Sequence, residues 1–81
     1  MTSRLAPEAV KNYLTAPVVV QKVFDKQVRF LERNIRHPSL RAKKYLEDLD
    51  LWQARVNKTW RFYFTIEDDA YVIQDIIKHP K

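Results

Sequence analysis

Two hydrophobic periods divide the chain. Apolar residues recur at helical spacing through the first half, then alternate with polar ones through the last third. Pro7 suits the first turn of a helix, where its missing N–H costs nothing. Ala9, Val10, Tyr13 and Leu14 follow at helical spacing. Thr15-Ala16-Pro17 breaks the run, because proline disfavours helix at the residue before it. A second, longer helix is predicted next. Val20, Phe24, Val28, Leu31 and Ile35 form one apolar stripe, with Gln21, Lys22, Asp25, Lys26, Arg29 and Arg33 mostly on the other side. Asn34 and Pro38 punctuate its end. Two helices joined by a tight proline turn make an antiparallel hairpin.

The alternating region reads as a three-stranded antiparallel meander over Leu51–Val56, Trp60–Ile66 and Tyr71–Ile77. Period-two alternation sets the faces. Trp52, Ala54 and Val56 point one way; Gln53, Arg55 and Asn57 point the other. Trp60, Phe62, Phe64 and Ile66 form an apolar row opposed by Arg61, Tyr63 and Thr65. The Trp/Phe row is assigned to the core, because large aromatics dominate buried area. The last strand is apolar on both faces, Tyr71, Ile73, Asp75 and Ile77 against Val72, Gln74 and Ile76. It is expected to be central or covered on both sides. The apolar face of the hairpin needs a cover, and the sheet is the available one. The fold class is α+β, an N-terminal antiparallel helical hairpin packed on a three- to four-stranded antiparallel sheet, as a single domain over residues 1–81.

Composition narrows this picture. There is no cysteine, so no disulfide framework and no thiolate metal site. No apolar run approaches the ~20 residues needed to span a bilayer, and no signal-peptide pattern opens the chain. A soluble, cytoplasmic protein without membrane contact is expected. Glycine is absent altogether, against a usual ~7%. The hairpin turns must therefore use other residues. Asn57-Lys58-Thr59 and Glu67-Asp68-Asp69-Ala70 are the candidates, since Asn and Asp tolerate turn geometry. Without glycine there is neither a Walker loop nor a dinucleotide fingerprint. His37 and His79 are the only histidines, and no metal-ligand spacing surrounds them. No metal or cofactor is expected.

The charge is uneven. Residues 1–45 carry ten Lys/Arg and three Asp/Glu, while residues 46–81 carry five and seven. The densest basic stretch is Arg33, Arg36, Arg41, Lys43 and Lys44, with His37 among them. Such a field speeds encounter with polyanions or with an acidic protein. On the meander, Arg55, Arg61 and Tyr63 share the face away from the core, a combination suited to phosphate and base rings. His37 is assigned to the turn that ends the helix.

Four runs, taken in order, carry a resemblance. They are His37-Pro38-Ser39-Leu40-Arg41-Ala42-Lys43-Lys44-Tyr45, Trp52-Gln53-Ala54-Arg55-Val56, Trp60-Arg61-Phe62-Tyr63-Phe64 and Asp75-Ile76-Ile77-Lys78-His79-Pro80. Together they resemble the RelE/ParE toxin superfamily of type II toxin–antitoxin systems, over roughly residues 4–80. The resemblance implies a cognate antitoxin protein that wraps and neutralises the chain. It implies, for RelE-like members, metal-independent cutting of mRNA on the ribosome. The 2′-hydroxyl attacks the neighbouring phosphate and leaves a 2′,3′-cyclic phosphate. Arg61 aligns with an arginine that contacts the scissile phosphate, Arg55 with a basic position on the preceding strand, and His79 with a C-terminal catalytic histidine. Lys78 and Lys81 are expected to assist electrostatically. Arg41, Lys43, Lys44 and Tyr63 are expected to contact RNA or the ribosome.

ParE-like members inhibit DNA gyrase instead, and a silenced protein-binding module is a third reading. The chain departs from the family pattern at three places. Met1-Thr2-Ser3-Arg4-Leu5 is too short to assign as the usual first edge strand. Gln53 stands where a charged group is common. The C-terminal aromatic beyond the histidine is absent. A missing first strand would leave an unpaired sheet edge, open to a strand from an antitoxin or a second copy.

Overall fold

The computed structural model describes residues 1–79. Seven principal elements follow in chain order: strand β1 (Thr2–Leu5), helices α1 (Pro7–Thr15) and α2 (Val18–Arg33), then strands β2 (Lys43–Leu46), β3 (Leu51–Arg55), β4 (Trp60–Glu67) and β5 (Ala70–Lys78). A single 3-10 turn, Glu47–Leu49, separates β2 from β3. The helical hairpin and the β3–β4–β5 meander are as the sequence predicts. The sheet is larger than predicted and mixed, with strand order β1-β5-β4-β3-β2. No helix among the described residues is long and apolar enough to cross a membrane.

Two short edge strands account for the difference. Met1–Leu5 does form a strand, pairing parallel with β5 from Thr2↔Ala70 to Leu5↔Ile73. The unpaired edge expected of a sheet lacking its first strand does not arise, because β1 is present and pairs with β5. Contacts distant in sequence hold β1. The terminal amine donates to the Glu32 carbonyl at 3.2 Å, and the Ser3 hydroxyl donates to the Glu32 carboxylate. Four residues carry too little periodicity to be read alone. The second edge strand, β2, pairs antiparallel with β3 through Lys43↔Gln53 and Lys44↔Trp52, and a register shift follows Lys44.

A β-bulge explains the two-faced pattern of β5. Phe62 pairs with Ile76 and Tyr63 with Asp75, but Phe64 pairs with Ile73, so Gln74 is extra. One inserted residue reverses the phase of alternation. Tyr71, Ile73 and Ile76 consequently share the core cluster, although the sequence alternation sets Ile76 apart from the other two. The strand is interior, between β1 and β4, as its apolar content requires.

The core lies between the hairpin and one face of the sheet. Val20, Phe24, Gln27 and Leu31 are the buried positions of α2. Phe24 meets Phe62 edge-on with ring centroids 5.3 Å apart. Phe62, Phe64, Ile73 and Ile76 are fully covered, each worth about 1.5–3 kcal/mol of burial. Trp52 and Trp60 pack on this core only half-buried. Ile66 is exposed at the far end of β4, and Val10 and Leu14 face away from the sheet. Ala9 is the buried residue of α1. Left-handed backbone falls to Arg41, Asp50 and Asp68. The Glu67–Ala70 turn thus uses an aspartate as expected. Asn57 acts differently, its side-chain oxygen accepting from the Thr59 and Trp60 amides, each at 2.9 Å.

Candidate functional site: a cationic cleft on the open sheet face

Phe62 and Phe64 face the helices, so Arg61 and Tyr63 between and beside them project to the opposite, uncovered face. Arg55 and Arg61 are direct cross-strand partners on β3 and β4. Like charges set opposite one another cost roughly 0.2–1 kcal/mol. Arg41 and Lys43 converge on the same place. With Gln53 and Ala54 these four cations line a cleft of about 230 Å³. Three ion pairs occur among the described residues, Arg4–Glu67, Lys44–Glu47 and Lys44–Asp50, and none involves the cleft. A concentration of cations without paired carboxylates makes a local positive field suited to an anion.

The cleft is built by three local devices. The first is the β3–β4 turn. Arg61 Nη1 donates to the carbonyl oxygens of Asn57 at 2.7 Å and Trp60 at 3.1 Å. Arg55 Nε donates to the same Asn57 carbonyl at 3.3 Å. The guanidinium groups are thereby fixed at one end, leaving other N–H groups for a ligand. The second device is Gln27, a buried polar residue that the helical pattern did not single out. Its amide donates to the Ser39 carbonyl at 3.1 Å and the Arg55 carbonyl at 2.8 Å, and its oxygen accepts from the Ser39 hydroxyl. Together with the Arg55 amide donating to Leu40 at 2.8 Å, this clamps the loop after α2 onto β3. The third is Arg41 itself, held at φ 47°. For a residue with a Cβ this costs on the order of 1 kcal/mol.

The remaining candidates are distributed around the cleft. Lys44 alternates to the other face, beneath which Trp52 lies 5.6 Å from its ammonium. Its ammonium donates to Asp50 at 3.0 Å, and that bond holds it above the usual lysine range. It is engaged away from the site. Tyr63 is on the open face but only 8% exposed. Its hydroxyl accepts from Gln53 at 3.0 Å, and Tyr45 covers its ring edge-on. Tyr45 is the exposed aromatic there, and the sequence reading did not select it. The signal was the alternation of Lys43 and Tyr45 about Lys44. Lys78 points along the helix side with Asn12, Thr15 and Trp60. His79 is exposed and does not line the cleft. Its amide donates to the Thr59 carbonyl, in the same turn that tethers Arg61. Lys81 lies outside the described residues. His37 stacks on Phe30 at 3.9 Å and accepts the Ser39 amide at Nδ1, which makes it the turn residue expected.

No protein-family model and no curated protein matches the sequence. Solved structures do match, over nearly the whole chain. The YoeB/ParE toxin from Agrobacterium tumefaciens superposes with a TM-score of 0.82 at 12% identity, covering 99% of this chain and 100% of that one. The YoeB dimer from Staphylococcus aureus gives 0.81 at 18% identity, with 99% and 98% covered. The archaeal RelE of the RelE–RelB complex from Pyrococcus horikoshii gives 0.79 at 16%, with 99% and 96% covered. The chain has the RelE/ParE toxin fold, with two helices on a five-stranded mixed sheet.

Proposed function

We propose that this chain is the toxin of a type II toxin–antitoxin system and cuts mRNA on the ribosome. The observation that carries the reading is the convergence of Arg41, Lys43, Arg55 and Arg61, without carboxylate partners, on the open face of a RelE/ParE fold. A scissile phosphate is the ligand that such a cleft suits. Planar guanidinium forks match phosphate oxygens in pairs.

In this reading the 2′-hydroxyl loses its proton and its oxygen attacks the adjacent phosphorus. The bond to the 5′-oxygen breaks, that oxygen takes up a proton, and a 2′,3′-cyclic phosphate remains. Arg61 and Arg55 stabilise the charge that builds on the phosphorane. His79 is assigned the proton exchange, since an imidazole nitrogen can both accept and donate a proton. Its backbone attachment to the Thr59 carbonyl supports this, because carbonyls of the same turn tether the Arg61 guanidinium. Lys43 holds flanking RNA backbone. The partners are the ribosome, its mRNA and a cognate antitoxin; relatives in fold have been solved with the antitoxins YefM and RelB.

One observation favours a second reading, a non-enzymatic inhibitor of DNA gyrase. The residues lining the cleft include neither a histidine nor a carboxylate. A purified translation system with mapped mRNA ends separates the two. The endonuclease reading expects new ends within codons, lowered about 100-fold by Arg61→Ala and at least as much by His79→Ala. Intact mRNA together with blocked gyrase supercoiling would establish the second reading instead.

A further inference from the structure

The open face carries a second row beside the two arginines. Lys43, Gln53, Tyr63 and Asp75 are successive cross-strand partners on β2, β3, β4 and β5. At the end of this row Tyr45, Leu51, Tyr63, Gln74, Asp75 and Ile77 line a cavity of about 370 Å³. Gln53 joins the two cavities, since it lines the cationic cleft and donates to the Tyr63 hydroxyl at 3.0 Å.

The cavity has a stacking wall and an acceptor floor. Tyr45 is 51% exposed, and its ring is braced against buried Tyr63 with centroids 5.1 Å apart and planes at 64°. Such bracing removes ring freedom that stacking would otherwise cost. Asp75 Oδ1 accepts from the Asn12 side chain and from the Ile76 amide. Its Oδ2 has no hydrogen bond among the described residues. Gln74 donates its amide to Thr65 Oγ1 at 3.0 Å, which leaves its carbonyl oxygen as an acceptor. Two acceptors, Asp75 Oδ2 and the Gln74 carbonyl oxygen, are thus left at the cavity, one strand row from the cationic cleft.

We propose that this cavity is a nucleobase subsite that takes a single unpaired guanine, stacked on Tyr45 with its Watson–Crick edge toward Asp75 and Gln74. Guanine presents N1–H and N2–H donors together on that edge. Adenine and cytosine present one amino group beside a ring acceptor, which would face the carboxylate. The proposal rests on the nucleic-acid reading of the cleft and adds base selectivity to it.

The test uses labelled five-nucleotide RNAs that differ only at the centre, with guanine, adenine or an abasic sugar between uridines. Binding is followed by fluorescence anisotropy at low salt. The wild-type chain is expected to bind the guanine RNA about tenfold tighter than the abasic one, the scale of one base stacked on an aromatic ring. Tyr45→Ala is expected to erase that difference while leaving abasic affinity unchanged, and Tyr45→Phe to keep it. Asp75→Asn is expected to bring guanine down to adenine. Arg61→Ala is expected to weaken all three RNAs by one common factor. Equal binding of the three RNAs by wild type would overturn the subsite and leave the phosphate cleft standing. So would an equal loss on guanine and abasic RNA in Tyr45→Ala. Absence of binding to any of the RNAs would overturn both the subsite and the reading of the cleft.

Discussion

The two faces of this sheet are made from the same strands, one residue out of phase, and they obey opposite rules. On the covered face the burial of apolar surface stabilises the fold. Phe62 and Phe64 sit under Phe24 and Leu31 with no exposed surface. On the open face Arg55 opposes Arg61, Arg41 holds a left-handed backbone, and none of the three forms an ion pair with a carboxylate among the described residues. Stability is supplied by one face and given up by the other. Local strain and like-charge pairing of this kind concentrate where a ligand completes the site. Lys44 makes the same point within a single strand. It neighbours Lys43 in sequence, alternates to the other face, and there finds Asp50 and Glu47.

The largest effect is expected on the covered face. Phe62→Ala should lower the unfolding free energy by about 3–5 kcal/mol, which in a domain of this size removes much of the total. Urea unfolding followed by tryptophan fluorescence measures it, and a loss under about 1 kcal/mol would mean that Phe62 is not the keystone of the core. Arg61→Ala should do the reverse, with cleavage down about 100-fold and the unfolding free energy within about 0.5 kcal/mol of wild type. Gln27→Leu lies between the two faces. It leaves the Ser39 and Arg55 carbonyls unpaired, and a cost of about 1–3 kcal/mol follows. Hydrogen exchange should quicken at the Arg55 amide, which Leu40 accepts, more than at Phe62. Equal quickening at both would show that Gln27 stabilises the whole fold and not the loop clamp. The smallest effect is expected from Lys44→Met, which should leave RNA binding at a given salt concentration unchanged. A loss comparable to that of Lys43→Met would place Lys44 in the site after all.

What could be read from the sequence was what repeats. The stripe of Val20, Phe24 and Leu31 and the row of Phe62 and Phe64 announce their faces through period alone, and both bury as read. The assignment of Arg55 and Arg61 to a common open face followed from the same alternation. Features set by single residues were not legible. The extra Gln74 in β5 reverses a phase that alternation assumes constant. β1 is too short for a period and is held by partners distant in sequence, Glu32 and β5. Gln27 sits in an apolar stripe and draws attention only when its two carbonyl partners are known. Tyr63 lies on the open face as the alternation predicts, but its exposure depended on β2, which brings Tyr45 over it. The exposed aromatic ring at this place is therefore Tyr45, not Tyr63.

The division between the faces is tested most directly by the double variant Arg55→Ala/Arg61→Ala, taken through urea unfolding and ribosome-dependent cleavage in parallel. The account predicts an unfolding midpoint equal to or above that of wild type, because a like-charge pair has gone, and cleavage reduced below detection. A midpoint that falls by more than about 1.5 kcal/mol in free energy, or mRNA cut at the wild-type rate, would contradict it.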